Sequence, residues 1–242
     1  MSIKAILFDL DGTLLPMNQD EFIGNYMRDL TAYMCKGGLH NPEEYFKVVW
    51  QGVYAMIKNN NVKTNEAVYF DKIGEAYGDA CAKEEYGKYL EFYKTKYLEG
   101  KVFTWYTDKS RRLIDSLKSK GIRVALATNP VFPSVATEGR MSWVDLKLCD
   151  FELVTTCDNT GYSKPTPKYY LDIAEKMGVD PCECLMVGND VEDDMPAATV
   201  GMDVFLLTDC LINKKGKDIS AFPHGDFDKL IEYINKKCLP YA

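Results

Sequence analysis

The sequence predicts an α/β protein in which helices cover both faces of a parallel sheet and a smaller all-helical segment is inserted near the start of the chain. Two observations predict this fold class. After residue 101, short apolar runs typical of buried strands alternate with runs typical of helices, and parallel sheets produce this alternation. Between residues 16 and 101, helix-like runs follow one another with no convincing strand. We therefore expect a discontinuous sheet domain at 1–15 and 102–242 and a helical domain at 16–101.

The sheet domain opens with an apolar strand at residues 4–8, which most simply joins the strands that come later. Helices are predicted at 110–120 and 167–177, because apolar residues recur at helical spacing and a glycine follows each run. The other predicted elements are strands at 122–127, 151–155, 184–187 and 204–207, the end of a helix at 143–148 and a final helix at 227–234.

The inserted segment is predicted to hold four helices, at 20–35, 42–58, 65–76 and 82–98. Glycines and asparagines mark the breaks between them. Tyrosine and phenylalanine are frequent in these helices, and an aromatic stripe on one face is typical of the buried side of a helix. We therefore expect the rings to form the interior of a helical bundle.

Charge and hydropathy exclude several classes of protein. The 242 residues carry a formal charge of -7, and the pI is about 5.0. Proteins that bind nucleic acid or anionic membranes present a basic face, so we expect neither partner. No apolar run reaches the length of a membrane-spanning helix and no secretory leader is evident, which predicts a cytoplasmic location with reduced thiols.

The cysteines and histidines show no spacing typical of a metal site. Cys182 and Cys184 form the closest pair of the eight cysteines, but no second pair accompanies them, as a zinc site would require. We expect these two sulfurs to be small apolar fillers at the start of a strand. His40 and His224 lie in predicted loops, and we expect both at the surface.

The most informative segment is ILFDLDGTL at residues 6–14, a buried-type strand that ends in two carboxylates. Asp9 and Asp11 are two residues apart, so their side chains share one side of an extended chain. Carboxylate oxygens are preferred ligands of Mg²⁺, and carboxylates also act as nucleophiles or as acids and bases. The segment therefore indicates a chemical site rather than an ordinary turn.

Polar residues also follow a later strand. Thr128 and Asn129 come directly after the predicted strand at 122–127. Ligands of open parallel sheets bind at the carboxyl ends of the strands, where a hydroxyl and a backbone N–H can hold phosphoryl oxygens. Because Asn-Pro is also common in plain loops, these residues alone leave both interpretations open.

A lysine and an acidic loop complete the set of candidate residues. Lys164 stands in the segment SKPTP just before a predicted helix, where the prolines stiffen the chain. After the strand at 184–187 comes GNDVEDD at residues 188–194, with four acidic residues within five positions. Such a cluster next to a buried strand is costly unless a cation or hydrogen-bond donors meet it.

In this order the four segments resemble the motifs of the haloacid dehalogenase-like (HAD) hydrolases, in particular the phosphatases with a helical cap inserted after the first motif. The resemblance implies a Rossmann-like parallel sheet core, a smaller all-helical cap domain and Mg²⁺ as cofactor. It departs at the fourth motif, where the family commonly has Gly-Asp: Asn189 stands at that aspartate and Asp190 beside it. We favour Asp190 as the ligand, because it carries a charge.

The resemblance also implies a role for each residue. Asp9 would attack phosphorus and form an aspartyl-phosphate, while Asp11 would act as acid and then as base. The implied phosphate-binding residues are Thr128, Asn129 and Lys164, and Lys164 also offsets charge in catalysis. The implied Mg²⁺ ligands are Asp9, the carbonyl of Asp11, and Asn189 or Asp190, with Asp194 in support.

The predicted activity is Mg²⁺-dependent hydrolysis of a small-molecule phosphomonoester. Asp11 argues against a dehalogenase, because dehalogenases of this superfamily resemble the fold but lack that carboxylate. The alternatives are a sugar-phosphate mutase of the same superfamily and, from another class, a non-catalytic phosphate-binding or phospho-receiver protein. Neither the substrate nor the oligomeric state follows from the sequence.

Overall fold

The computed structural model describes residues 3–238, and within them six strands form one parallel sheet. The strands are β1 (Ala5–Phe8), β2 (Arg123–Leu126), β3 (Leu153–Val154), β4 (Cys184–Gly188), β5 (Asp203–Leu207) and β6 (His224–Gly225). Their order in the sheet is β3-β2-β1-β4-β5-β6, and each neighbouring pair is parallel. The predicted α/β class with a Rossmann-like parallel sheet is confirmed.

Eight α-helices lie in the described part of the chain. They are α1 (Gln19–Met34), α2 (Pro42–Lys58), α3 (Asn65–Tyr77), α4 (Asp79–Lys94), α5 (Lys109–Ser119), α6 (Ser134–Ser142), α7 (Pro167–Met177) and α8 (Phe227–Cys238). Short 3-10 helices at Lys96–Phe103, Leu148–Asp150, Pro181–Glu183 and Met195–Val200 connect them. No helix within residues 3–238 combines the length and apolarity needed to cross a bilayer.

Strand β1 lies at the centre of the sheet, and all four of its residues are buried. Its alternating side chains face opposite sides: Ile6 and Phe8 belong to one hydrophobic core, Ala5 and Leu7 to another. Helices α5 and α8 contribute to the first core and α7 to the second. Helices therefore cover both faces, as the uninterrupted apolar strands predict.

The register of the central strands decides where the polar residues meet. Phe8 of β1 pairs with Leu126 of β2 and with Val187 of β4. Because parallel strands run in the same direction, all three end at the same edge of the sheet. The polar residues that follow each strand are therefore neighbours in space.

In the sheet domain, one predicted element is wrong and one observed strand was not predicted. The helix end at 143–148 is wrong, because α6 already ends at Ser142 and Asp145 has a φ of 58°, which a helix does not allow. Trp143 and Leu146 are nevertheless buried, so the apolar residues that suggested a helix anchor turns. Strand β6 was not predicted, because two residues are too short to show a period.

Helices α1 to α4 follow one another without a strand. Asn18, Asn41 and Thr64 each accept a hydrogen bond from a backbone N–H in the first turn of the next helix, which explains where three helices begin. The fourth helix begins and ends earlier than the predicted 82–98, and the 3-10 helix Lys96–Phe103 follows it.

Aromatic rings connect this helical segment to one face of the sheet. Tyr26 packs on Phe132 with ring centroids 5.1 Å apart, and Phe22 packs on Trp143 at 6.2 Å. All four rings belong to the core that contains Ile6. The hydrophobic core on this side therefore continues from the sheet into the helices.

The chain enters and leaves the helical segment side by side. The Asn18 N–H donates to the Phe103 carbonyl at 2.9 Å, and the Trp105 N–H donates to the Pro16 carbonyl at 2.9 Å. These paired crossings lie close to the boundaries expected for an inserted domain. That residues 16–101 form a domain of their own remains a prediction.

One histidine and one of the paired cysteines lie where they were predicted, and the other histidine and the other cysteine do not. Tyrosine rings of neighbouring helices pack against the His40 ring, and its side chain is only 5% exposed and contacts Glu85. The predicted surface position of His40 is therefore wrong. His224 is exposed, as predicted. Cys184 is buried as expected, whereas Cys182 is exposed.

Candidate active site

Lys164 lies at the centre of the carboxyl edge of the sheet, between two carboxylates. Its Nζ donates to Asp9 Oδ1 at 2.8 Å and to Asp194 Oδ1 at 2.6 Å. The lysine and Asp194 side chains are each only 1% exposed. Burial by itself would lower the pKa of Lys164, but the charges of Asp194 and Asp9 raise it well above its usual value. Lys164 is therefore a fixed positive charge beside Asp9.

A second buried cation contacts the other carboxylate of the first motif. Arg140 of α6 is fully buried, donates to Asp11 and lies over the Phe132 ring at 4.4 Å. Burial raises the pKa of Asp11, whereas the charge of Arg140 opposes the rise. The net shift is upward, which lets Asp11 hold a proton to a higher pH than an exposed aspartate. No sequence motif singled out Arg140, because the helix end predicted at 143–148 lies beyond it, whereas α6 occupies Ser134–Ser142.

Asn189 and Asp190 have different surroundings. The Asn189 amide accepts from the Thr13 hydroxyl at 3.1 Å and donates to the Cys210 carbonyl at 2.7 Å, so both of its ends hold neighbouring segments together. A Cβ at Gly12, whose φ is +82°, would overlap that amide, and the turn after Asp11 therefore requires glycine.

Asp190 places its carboxylate in an Asx-type turn. Its Oδ1 accepts the backbone N–H groups of Glu192 and Asp193, at 2.7 and 3.1 Å, and its own N–H donates to Asp194 Oδ2 at 2.9 Å. These bonds fix the direction of the loop. Asp190 thus places a carboxylate in this loop, whereas Asn189 places a neutral amide there.

Thr128 and Asn129 follow β2, which lies on the other side of β1 from the strand β4 that precedes this loop. Thr128 is buried at the end of β2, where its carbonyl accepts from the hydroxyls of Thr155 and Tyr169. Asn129 donates to Asp193 Oδ2 at 3.2 Å. Asp193 was not assigned a role from the sequence, although it belongs to the acidic cluster noted there.

These residues surround a cavity of about 120 Å³. Helix α1 contributes Gln19 and Ile23 to its wall, so the helical segment covers a site that the sheet edge builds. Every predicted site residue lies on the wall of this cavity: Asp9, Asp11, Thr128, Asn129, Lys164, Asn189, Asp190 and Asp194.

The donor set of the cavity fits a hard divalent cation. Three buried side-chain oxygens at its wall, Asp11 Oδ1, Gln19 Oε1 and Asn129 Oδ1, have no hydrogen-bond partner within the described chain. Two buried cations, Lys164 and Arg140, contact three of the five carboxylates at the wall. The five are Asp9, Asp11, Asp190, Asp193 and Asp194. Burial raises the pKa of Asp194 to about 7 and also raises that of Asp193. A bound cation would favour the ionised carboxylates, and oxygen ligands of this kind suit Mg²⁺.

Curated proteins of similar sequence carry hydrolase names. The chain is 29% identical over 205 residues to the bifunctional riboflavin kinase/FMN phosphatase of Arabidopsis thaliana, across 82% of this chain but only 45% of that protein. It is 25% identical over 200 residues to pyrophosphatase PpaX of Bacillus velezensis, across 82% of this chain and 80% of the relative.

Solved structures share the fold over almost the whole chain. A HAD phosphatase from Thermococcus onnurineus aligns with a TM-score of 0.59 and 20% identity, covering 98% of this chain and all of that one. A HAD family enzyme from Bacteroides thetaiotaomicron, whose structure contains magnesium and inorganic phosphate, aligns with a TM-score of 0.52 and 19% identity, covering 91% and 98% of the two chains.

The family model for haloacid dehalogenase-like hydrolases matches residues 3–200. That range contains the central strands β1, β2 and β4 and all four candidate segments at their carboxyl ends. The chain therefore belongs to the haloacid dehalogenase-like hydrolases and is a hydrolytic enzyme.

Proposed function

We propose that the protein is a Mg²⁺-dependent phosphatase that cleaves a small-molecule phosphomonoester through an aspartyl-phosphate on Asp9. The observation that carries this proposal is the pair of contacts from Lys164 to Asp9 and Asp194. A buried ammonium beside a carboxylate nucleophile lowers the repulsion between that carboxylate and an incoming phosphate. The phosphatase names among the relatives support the same reaction class.

In the first step, one carboxylate oxygen of Asp9 attacks phosphorus and the ester oxygen leaves. Asp11 donates a proton to that leaving oxygen. Burial raises the pKa of Asp11, which favours the protonated form that an acid needs. In the second step, the ionised Asp11 takes a proton from water, and the water attacks phosphorus and releases Asp9.

The phosphoryl oxygens would be held by residues on both sides of Asp9. We assign Lys164, Thr128 and Asn129 to this task. The Asn129 amide is oriented by Asp193, while Thr128 is anchored through its carbonyl. Phosphoryl transfer depends mainly on such positioning and on charge neutralisation.

The metal would be held by Asp9, the carbonyl of Asp11, and one residue of the fourth motif. We favour Asp190 over Asn189, since the amide of Asn189 is bonded at both ends and brings no charge. Asp194 would act in support, by orienting Lys164 and accepting the Asp190 N–H. When bound, Mg²⁺ supplies positive charge to the phosphate and to the nucleophile.

We also propose that residues 16–101 act as a cap that selects the substrate. Gln19 and Ile23 of α1 lie at the cavity wall, so part of any substrate beyond its phosphate would meet this segment. Opening would admit the substrate, and closing would exclude bulk water. A cytoplasmic location remains a prediction.

A sugar-phosphate mutase would share the core residues but transfer the phosphoryl group back to a sugar instead of to water. A phospho-receiver would form the aspartyl-phosphate without an acid and base to hydrolyse it. The position of Asp11, paired with Arg140 and bordering the same cavity as Asp9, favours hydrolysis over the receiver.

The proposal is tested by a screen of small phosphomonoesters with Mg²⁺ and with EDTA. We expect phosphate release only with Mg²⁺, and no halide release from a haloacid. Metal-independent turnover would contradict the proposal. Transfer of phosphate between two positions of a sugar phosphate, without net release, would favour the mutase.

A further inference from the structure

Three side chains with metal-binding atoms meet in the helical segment, away from the acidic cavity. His40 lies in the loop between α1 and α2, and Cys81 and Glu85 lie on α4. One ligand atom from each residue lies within 4.8 Å of the other two. We infer that His40, Cys81 and Glu85 form a binding site for a transition-metal ion of the zinc type.

Two of the three distances between the ligand atoms are close to those of a tetrahedral site. The sulfur of Cys81 lies 3.9 Å from His40 Nε2 and 3.8 Å from Glu85 Oε1. With metal–ligand distances of about 2.0–2.3 Å, tetrahedral zinc separates such atoms by roughly 3.3–3.7 Å. His40 and Glu85 are in direct contact, so only this pair has to move apart for an ion to enter.

The local structure orients the three groups toward one another. Cys81 and Glu85 are four residues apart on one helix and therefore share a face. Tyr45 donates to Glu85 Oε2 at 3.2 Å, which leaves Oε1 for His40 and Cys81. The His40 ring stacks on Tyr45 at 5.1 Å and packs at a tilt against Tyr77 at 4.2 Å. Partners that fix the direction of ligand side chains are a feature of metal sites in proteins.

Charge balance also favours a divalent cation. Glu85 is only 1% exposed, and within residues 3–238 the basic side chain that contacts it is His40 rather than a lysine or arginine. A carboxylate, a thiolate and a neutral imidazole neutralise a divalent ion completely. On binding, the Cys81 thiol would release its proton to water as the metal–sulfur bond forms.

The combination of sulfur, nitrogen and oxygen ligands identifies the class of ion. Thiolate and imidazole ligands suit zinc and similar metals, whereas Mg²⁺ prefers oxygen alone. Cys81 is partly exposed, so water can occupy the fourth position. The ion would link the loop after α1 to α4, and it would stabilise the folded helical segment because only the folded chain brings the ligands together.

Cobalt reports directly on the sulfur ligand. Titration of the metal-free 242-residue protein with Co²⁺ should produce the near-ultraviolet thiolate-to-cobalt charge-transfer band, and Zn²⁺ should abolish it by displacement. The variant Cys81→Ser should lose the band and bind Zn²⁺ at least about 10–100-fold more weakly, the loss that even outer partners of a site cause. Its circular dichroism without metal should match the parent protein.

Two control variants separate this site from other metal ligands. Cys149→Ser removes an exposed thiol outside the helical segment and should keep the band. Asp9→Asn alters the acidic cavity and should also keep it, whatever its effect on turnover. Absence of the band in the parent protein, or its survival in Cys81→Ser, would overturn the inference.

Discussion

The carboxyl edge of the sheet and the interior of the helical segment bury polar groups in opposite ways. At the sheet edge, the polar contacts are between full charges, such as Lys164 with Asp9 and Asp194. Among the helices, buried tyrosine hydroxyls bond to one another, such as Tyr26 with Tyr93 at 2.6 Å, beside one buried carboxylate, Glu85.

Because of this difference, we expect substitutions in the two regions to have effects of different size. A buried charge that loses its partner costs several kcal/mol, whereas a neutral hydrogen bond contributes about 1 kcal/mol. We therefore expect substitutions at the sheet edge to change both activity and stability. Loss of a single tyrosine hydroxyl among the helices should change stability a little and turnover hardly at all.

The largest effect is expected for Asp9→Asn, which removes the attacking oxygen while keeping the size of the side chain. Turnover of the best phosphoester should fall by roughly 10⁴-fold, as for other residues that act within a catalytic unit. The measurement is phosphate release at saturating Mg²⁺. Asp71→Asn, an exposed aspartate of α3, is the matched control and should keep full activity. Substantial residual turnover in Asp9→Asn would exclude the aspartyl-phosphate mechanism.

Lys164→Met should destabilise the protein as well as inactivate it. The change leaves Asp9 and Asp194 buried without their cation, and such a loss costs about 3–5 kcal/mol. Urea unfolding measures the effect. Lys168→Met, on the exposed side of α7, should stay within about 0.5 kcal/mol of the parent protein. Equal stability of the two variants would show that the Lys164 contacts are not maintained in solution.

Arg140→Leu tests the contact between Arg140 and Asp11, the residue proposed to act as acid and then as base. Arg140 lowers the pKa of Asp11 against the effect of burial, so its removal should raise that pKa further. Because the first step needs protonated Asp11, the basic limb of the kcat/KM profile should move to higher pH. The rate should fall by about 10²-fold, the lower end for losing acid–base catalysis.

Arg140→Lys keeps the charge and is the control for the pH profile. Its basic limb should stay closer to that of the parent enzyme. If the limb stays in place in both variants, the titrating group is not Asp11.

The smallest effect is expected for Tyr93→Phe in the helical segment. The Tyr93 hydroxyl bonds to Tyr26 and to Tyr89, and its loss should cost about 1 kcal/mol without changing turnover. Thermal unfolding and a standard assay measure the two quantities. Tyr54→Phe, an exposed tyrosine of α2, should change neither. A large loss of activity in Tyr93→Phe would mean that the helices are coupled to the chemistry more tightly than proposed.

Local signals explain what could be predicted. Short runs of apolar residues identify the strands before Asp9, Thr128 and the loop at 188–194. Because parallel strands present their carboxyl ends at one edge of the sheet, the polar residues that follow were expected to lie close together. The helical segment was recognised because its breaks contain glycine and asparagine and because helices of this length show a clear period. The short 3-10 helices and β6 were missed, since elements of a few residues show no period.

Spacing within a few positions was enough to predict the parallel sheet, the run of helices and eight of the residues that line the cavity, but not Gln19, Ile23 or Asp193. Only the tertiary structure decided which charges pair. Arg140 meets Asp11 across 129 positions and Lys164 meets Asp9 across 155, and His40 meets Glu85 across 45. Such contacts depend on how helices and loops pack over the sheet, and packing is a property of the whole chain that no local pattern records.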